Sequence, residues 1–389
     1  MPLTALLDST KAIESQAKRL RSFAPLAILV FASALILCAC RNPERPSRVN
    51  AAAIHDATRE FAAAARKSTP AGTAIRMKIQ SAPNSQNLPD SVEITLFSDP
   101  AGPDRKTKTA QLLQALNAVA QKRGLETGNR DDEADSSSVS FRSASRITHA
   151  IKMRFLPAVE SAHRTNLNAD APRLAIILDD FGSDRAAAES VFGLRYPLTL
   201  SVLPNHEHSK EIADEALRRG YQVMLHLPMQ SVANESPEKE ELHPGMSARQ
   251  VEAMLGEMME TVPDAVGVNN HQGSQATSDP ALMDGLMPAL RNWNLFYVDS
   301  RTTAATVAFD AARREGIPTA FRNVPFLDDV QEVAAIRRQL DLAIRGAKEK
   351  KAAVAIGHPH PATLEALREF LPKVDSSGVR LVFVSELVH

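Results

Sequence analysis

Short apolar runs alternate with helical patterns over the chain from Arg173 onward. The stretches between the runs, such as SARQVEAMLGEMME, repeat apolar residues at the spacing of a buried helix face. Alternating strands and helices predict an α/β fold with a largely parallel sheet covered by helices. Because residues 172–389 hold seven or eight such runs, we expect a distorted parallel (β/α) barrel of about seven strands. The runs are LAIIL, LTLSVL, YQVMLHL, AVGVNN, LFYVDS, AAVAIG and RLVFVSEL.

The preceding part of the chain predicts a small α+β domain over residues 71–158. TAIRMKIQ, SVEITLFS, SVSFRS and HAIKMRF alternate as strands do, and TAQLLQALNAVAQKRG has helical spacing. The polar and acidic stretch NRDDEADSSS is expected to be a solvated loop. Residues 41–70 are expected to form a linker and a helix. The α+β region carries no constellation of chemical groups, so its role is open; contact with an envelope protein partner is one possibility.

The first forty residues have the pattern of a targeting segment. Residues 1–22 contain a basic cluster, and residues 23–40 form an apolar run, which is typical of an export signal or a membrane anchor. Leu37-Cys38-Ala39-Cys40 resembles a bacterial lipobox with Cys40 as the lipidated residue; an uncleaved anchor is the alternative. Either interpretation places the rest of the chain outside the cytoplasm, on the periplasmic side and attached to the membrane.

Composition narrows the classes of partner and of metal site. The 45 basic and 46 acidic side chains give a net charge of −1, so there is no electrostatic reason to expect nucleic acid as a partner. Both cysteines lie within residues 23–40, so the remainder of the chain can form neither a disulfide nor a cysteine metal site. Any metal there must be held by histidine and carboxylate groups.

Polar residues follow five of the predicted strands at the ends where parallel α/β folds carry their functional groups. Taken singly, each has a structural explanation; Asp179 and Asp180, for example, are suited to capping the following helix. A random placement of the 11 histidines would rarely produce this convergence, which favours a site. The residues are Asp179 with Asp180, His226, Asn270 with His271, Asp299 followed by Arg301, and His358.

The paired aspartates indicate a divalent cation. Two carboxylates in one cavity repel each other, and one of them would be forced to take up a proton. A cation removes that conflict, because it takes one carboxylate as a ligand and leaves the other ionised as a base. Two imidazoles and one carboxylate form an open zinc set, with water in the remaining positions.

Seven motifs resemble the divergent polysaccharide deacetylases, a bacterial envelope branch of the carbohydrate esterase superfamily. They are IILDDFG, SVLPNH, HLPMQ, GVNNHQGS, VDSRT, FLDD and AIGHPHPATL, and they occur in the family's order from about Arg173 to the C-terminus. The resemblance implies a metal-dependent hydrolase, with zinc as the favoured cation, that removes acetyl groups from an N-acetylated envelope glycan such as peptidoglycan.

The resemblance also implies roles for individual residues. Asp179 would be the base, Asp180 and His226 ligands, and His358 the acid. The usual deacetylases supply both histidines from one His-x-x-x-His turn, but Gln230 stands at that spacing from His226. His271, after the next predicted strand, is the substitute ligand that the expected geometry offers.

Three further residues and two further functions stay open. Asn270, Asp299 and Arg301 are expected either to bind the sugar or orient the ligands, or to form a salt bridge and a capped turn. Because the His-x-x-x-His turn of the usual deacetylases is not kept, a non-catalytic glycan-binding factor in wall remodelling or division is an alternative function. An esterase or peptidase using the same metal set is another candidate, although HExxH and Gly-x-Ser-x-Gly motifs are lacking.

Overall fold

The computed structural model describes residues 51–80, 88–98, 101–102, 104–159, 170–233 and 237–389. The predicted basic region and the apolar run lie outside these ranges, as does the first part of the linker. Within the ranges, no helix combines the length and the apolar character that crossing a membrane requires.

The first part of the described chain is a five-stranded sheet with two helices packed on it. The sheet has the order β1-β2-β5-β4-β3, and its neighbours are antiparallel except for β2 and β5. Apolar side chains of both helices and of the sheet share one core. The elements are α1 (Ala51–Lys67), β1 (Ala74–Lys78), β2 (Asp90–Phe97), α2 (Asp104–Lys122), β3 (Glu126–Asp132), β4 (Ser136–Ser143) and β5 (Arg146–Leu156).

The stretch NRDDEADSSS is not the loop that its polarity predicted. Its first residues belong to β3 and its serines begin β4, with a turn between them. Strand β3 is an edge strand whose side chains are almost all exposed. Its backbone groups are paired with β4, whereas charged side chains blunt the free edge. A strand of this kind has no apolar face, so hydrophobic alternation could not detect it.

The second part of the chain forms a nearly closed barrel of parallel strands, as the sequence predicted. Seven strands run in the order β11-β10-β9-β8-β7-β6-β12, and β13 pairs with the first residues of β6. The strands are β6 (Arg173–Phe181), β7 (Thr199–Val202), β8 (Gln222–Met229), β9 (Gly267–Gln272), β10 (Phe296–Asp299), β11 (Thr319–Phe321), β12 (Ala352–Gly357) and β13 (Arg380–Val382).

Helices connect these strands and cover the outside of the barrel. They are α3 (Arg185–Phe192), α4 (Ser209–Arg218), α5 (Ala248–Thr261), α6 (Pro280–Trp293), α7 (Ala308–Arg314), α8 (Val333–Lys350) and α9 (Pro361–Val374). Strand β11 is only three residues long and was missed as an apolar run. The chain that follows it bonds to β12 through Asn323 N to Val354 O and Leu327 N to Ile356 O, each 2.9 Å. These bonds bring the two edges of the sheet together.

Side-chain alternation divides each barrel strand into an inner and an outer face. On β6, Leu174, Ile176 and Leu178 pack with the surrounding helices, whereas Ala175 and Ile177 pack in a separate inner cluster. That cluster also holds apolar residues of β8, β10 and β12 and of the C-terminal segment 382–388. The C-terminal segment therefore fills the amino end of the barrel, and polar groups are left to the carboxyl end.

A partly buried ion-pair cluster joins the five-stranded sheet to the barrel. Arg76 on β1 contacts Asp214 at 2.6 Å through Nη2, and it donates to Asp264 through both Nε and Nη2. The Asp264 side chain is only 4% exposed. A carboxylate that is so well buried depends on its cation, because removing one partner of a buried pair leaves an uncompensated charge.

We expect Arg76→Met to destabilise the protein by about 2–3 kcal/mol, below the 3–5 kcal/mol of fully buried pairs because Arg76 is partly exposed. Urea denaturation followed by circular dichroism measures the change. Arg59→Met is the matched control, since its pair with Asp56 is exposed on both sides; that variant should lose less than about 1 kcal/mol. Equal losses in the two variants would contradict this account of the cluster.

Candidate functional site

The two neighbouring aspartates reach the same hollow because the backbone turns between them. Asp179 has the inward orientation of Ala175 and Ile177, and it is 1% exposed. A regular strand would direct Asp180 outward, but Asp180 has a φ of +62°, in the left-handed region that few residues other than glycine adopt. The pairing of β6 with β7 shifts between Leu178 and Phe181. Because of this local irregularity, the side chains of two adjacent aspartates can face the same hollow.

Asp180, His226 and His271 present one atom each to a common point. Asp180 Oδ1 lies 3.2 Å from His226 Nε2 and 3.0 Å from His271 Nδ1, and the two ring nitrogens are 3.1 Å apart. Although Asp180 Oδ1 is buried, no donor in the described chain points at it with hydrogen-bond geometry. The three residues form a potential metal-binding group, which we call the ligand triangle.

The spacing and the donor atoms of the ligand triangle can be compared with what a small divalent cation such as zinc requires. Two atoms about 2.0–2.1 Å from one ion are about 3 Å apart at right angles and about 3.4 Å apart at the tetrahedral angle. Burial opposes ionisation of Asp180, but His226 and His271 outweigh it and hold the pKa of that carboxyl far below its usual range. An ionised carboxylate and two imidazoles are donors that zinc accepts. The residues present therefore fit a divalent cation.

His226 is hydrogen-bonded on its far side to Asn269, which was not among the residues predicted from the sequence. His226 lies on β8 and is 2% exposed, and its Nδ1 lies 3.1 Å from Asn269 Oδ1. Asn269 also donates through Nδ2 to both oxygens of Asp179, at 2.9 and 3.1 Å. Its inward position on β9, two residues before His271, is the sequence signal that could have identified it.

Asp179 lies next to the ligand triangle but outside it. Its Oδ2 is 3.7 Å from His226 Nε2. Burial raises the pKa of Asp179, although the nearby histidines and the Asn269 amide act in the opposite direction. A carboxylate in this position beside the ligand atoms is suited to accept a proton in the hollow.

His358 reaches the hollow from the end of β12 and is held by Asp328. Its Nδ1 lies 3.0 Å from Asp328 Oδ1, and its backbone N donates to Asp328 Oδ2 at 2.6 Å. Nε2 lies 3.7 Å from Asp180 Oδ2. Burial alone would lower the pKa of His358, but Asp328 together with Asp179 and Asp180 raises it to about 9. A raised pKa of this kind suits His358 to donate a proton near neutral pH.

Asp328 belongs to the motif FLDD but was not among the predicted site residues. It is 6% exposed, and its Oδ2 also accepts from Thr363 Oγ1 at 2.9 Å. Burial opposes ionisation, yet the hydrogen bonds from His358 lower the pKa of Asp328. An acid that directly follows an apolar residue, as in LAIILDD, was the available signal.

Asn270 and Asp299 lie beneath the site and contact other protein groups. Asn270 accepts from Tyr297 Oη at 3.1 Å and from Ser300 N at 2.9 Å. Asp299 accepts from Arg301 N at 2.8 Å and from Thr306 Oγ1 at 2.9 Å. Both residues are at most 1% exposed, so this is the arrangement of a supported, capped turn. Their side chains point to the outer face of the barrel, whereas the residues next to them in sequence point to its inner face.

The structure also shows what Arg301 contacts and which residue caps α3. The Arg301 guanidinium lies 3.5 Å from the centroid of the Phe321 ring, and it is exposed at the rim of the barrel. The cap of α3 is Asp184, which accepts from Ala186 N and Ala187 N. Asp179 and Asp180 are thus not needed for helix capping.

Comparisons with known proteins agree with this fold. The uncharacterized protein YibQ from Escherichia coli K12 is 38% identical over 219 residues, which cover 56% of this chain and 68% of that protein. An uncharacterized Haemophilus influenzae protein is 37% identical over 204 residues, 52% of this chain and 72% of its own length. The crystal structure of the uncharacterized protein ATU2773 from Agrobacterium tumefaciens C58 is similar to this chain with a TM-score of 0.55. It has 21% identity and covers 60% of this chain and 99% of its own.

The family comparison covers the barrel and every residue of the ligand triangle. Residues 176–388 match the divergent polysaccharide deacetylase family, as the motifs in the sequence indicated. The match spans more than half of the chain. The chain therefore belongs to the divergent polysaccharide deacetylases.

Proposed function

We propose that this protein is a metal-dependent hydrolase that removes acetyl groups from an N-acetylated envelope polysaccharide such as peptidoglycan. The observation that carries the proposal is the ligand triangle, with Asp179 on one side of it and the His358–Asp328 pair on the other. Metal-assisted amide hydrolysis needs a cation, a base and an acid in one place.

Each of these side chains has a defined task. Asp180, His226 and His271 would hold the cation, which supplies a Lewis acid for the acyl oxygen and activated water. Asp179 accepts the proton of the water that attacks the acetamide carbon. His358 donates a proton through Nε2 to the sugar nitrogen as the C–N bond breaks, so that acetate and a free amine are released.

The location and the partners belong to the same proposal. The basic cluster and apolar run of residues 1–40 support export and attachment to the membrane, as a lipoprotein or through an anchor. An exported deacetylase meets the glycans of the cell envelope. Contact between the five-stranded sheet and an envelope protein partner is part of this proposal, and the groups proposed for hydrolysis all belong to the barrel.

A non-catalytic glycan-binding protein is the second candidate function. The observation in its favour is the burial of Asp179, which is 1% exposed and hydrogen-bonded through both oxygens to Asn269. A general base must come within hydrogen-bond reach of the proton that it removes. Metal binding without acetate release would support this second candidate.

We expect the purified chain to bind one zinc ion, and His271→Ala to weaken binding by at least about 100-fold, because one of three protein ligands is lost. Metal content after dialysis and competition with a chromophoric chelator measure this. His206→Ala is the matched control, since His206 pairs with Glu238 outside the triangle. If the His271→Ala variant keeps wild-type affinity while the protein stays folded, His271 is not a ligand.

Acetate release from N-acetylated glucosamine oligomers and from peptidoglycan tests the reaction. Asp179→Asn and His358→Gln should each lower kcat by about 10²–10⁴, because an essential base or acid is removed. Both variants should retain zinc, as neither residue belongs to the ligand triangle. A zinc-loaded wild-type protein that releases no acetate from either substrate would favour the non-catalytic candidate.

The pH profile tests the His358–Asp328 pair. Activity should fall as pH rises through about 9, where His358 loses the proton that it donates. Asp328→Asn removes the main anion that raises this pKa while burial remains, so the alkaline limb of kcat/KM should move to lower pH. Asp329→Asn, at an exposed neighbouring acid, should leave the limb in place. An unmoved limb in the Asp328 variant would exclude His358 as the acid.

A further inference from the structure

Asn269 hydrogen-bonds both to a member of the ligand triangle and to the adjacent carboxylate. It lies on β9 and is fully buried. Through Oδ1 it contacts His226 Nδ1 at 3.1 Å, and through Nδ2 it contacts both oxygens of Asp179. It belongs to neither group, so its place in the site has to be derived from its hydrogen bonds.

The orientation of the Asn269 amide follows from its neighbours. Nδ2 is the donor end of the group, and it faces two carboxylate oxygens, which accept hydrogen bonds. The opposite orientation would place Oδ1 against Asp179 and leave three buried acceptors without a donor. Oδ1 must therefore face His226, where the Ser201 hydroxyl also donates to it.

This orientation determines which nitrogen of His226 carries the proton. Because Asn269 Oδ1 is only an acceptor, His226 Nδ1 must be the donor, and the neutral ring then has its lone pair on Nε2. Nε2 is the atom that belongs to the ligand triangle, 3.2 Å from Asp180 Oδ1. Metal-ligating histidines are commonly fixed through their other ring nitrogen in this way.

Neighbouring serines hold Asn269 itself in place. Ser201 donates to Oδ1, and Ser300 Oγ lies 3.3 Å from Nδ2. Ser300 Oγ in turn donates to the backbone oxygen of Asn270 at 2.9 Å. Side chains from β7 and from the end of β10 thus contact both ends of the amide.

We propose that Asn269 is a positioning residue that keeps the proton of His226 on Nδ1, so that Nε2 faces the cation, and that orients the Asp179 carboxylate in the same hollow. This inference rests on the proposed function for its cation. The tautomer of His226, however, is a property of the chain alone and can be measured without any metal.

Long-range ¹H–¹⁵N spectra of the histidine rings test the tautomer directly. In the wild type we expect the proton on Nδ1, both with zinc bound and without zinc at a pH where the ring is neutral. His226 coordinated through Nδ1, or carrying its proton on Nε2, would overturn the proposal whatever the variants do. A wild-type protein that shows the expected tautomer but binds no zinc would instead overturn the metal site of the proposed function.

Two substitutions separate positioning from packing. Asn269→Leu keeps the approximate volume but removes the acceptor, and we expect zinc affinity to fall by about 10–100-fold, as for other residues that orient ligands. Asn269→Asp retains an acceptor for His226 and for Ser201, and its second oxygen must carry a proton to replace the Nδ2 donation to Asp179. It should keep the proton on Nδ1 and lose less than about tenfold in zinc affinity.

Thr199→Val is the control for stability alone. Thr199 is a buried polar residue of β7 whose hydroxyl accepts from Val384 N at the amino end of the barrel. This variant should lower the melting temperature without changing zinc affinity or the His226 tautomer. If Asn269→Leu behaves like this control, the proposal is wrong. If the Leu variant does not fold, the Asp variant decides, because a proton on Nε2 there would contradict the proposal.

Discussion

Two adjacent carboxylates can face one cavity only where the strand that carries them departs from the regular alternation of side chains between its two faces. In β6 that happens at Asp180, whose left-handed backbone returns its side chain to the inner side. Such a conformation is costly for an aspartate, and it persists here where the carboxylate meets two histidines. Gly182, with a φ of +138° and neighbours 3.1 Å from where a Cβ would lie, allows the chain to leave the strand at once. The ligand triangle and the position of Asp179 both depend on this short irregular segment.

The barrel and the convergence of polar side chains at one end of it could be predicted because apolar runs and their polar ends are local properties of the sequence. Asp180, His226 and His271 do converge in space, and His358 lies beside them. Strand β3 could not be found, because an exposed edge strand has no apolar face. Strand β11 was missed because three residues carry too little pattern.

Residues that face the hollow can be distinguished from residues behind it only if the face of the strand on which each side chain lies is known. Asn269 and Asn270 are neighbours with nearly identical sequence context, yet one faces His226 and Asp179 while the other holds Tyr297 and Ser300. A prediction of strand ends to within one or two residues cannot separate them. Asp328 could not be assigned from the sequence for a similar reason. It lies in the segment after β11, and backbone hydrogen bonds to β12 across the closing edge of the barrel determine where that segment lies.

The C-terminal segment gives the barrel one open end. Val384 and Leu387 pack with Ala175 and Ile177 in the inner cluster, and the backbone of His389 pairs with Thr319 at the start of β11. The interior therefore offers no passage, and a glycan of the kind proposed as substrate would have to arrive and depart on the same side. A long polymer could not be threaded through the barrel; it would have to lie across the mouth with a single sugar residue directed inward.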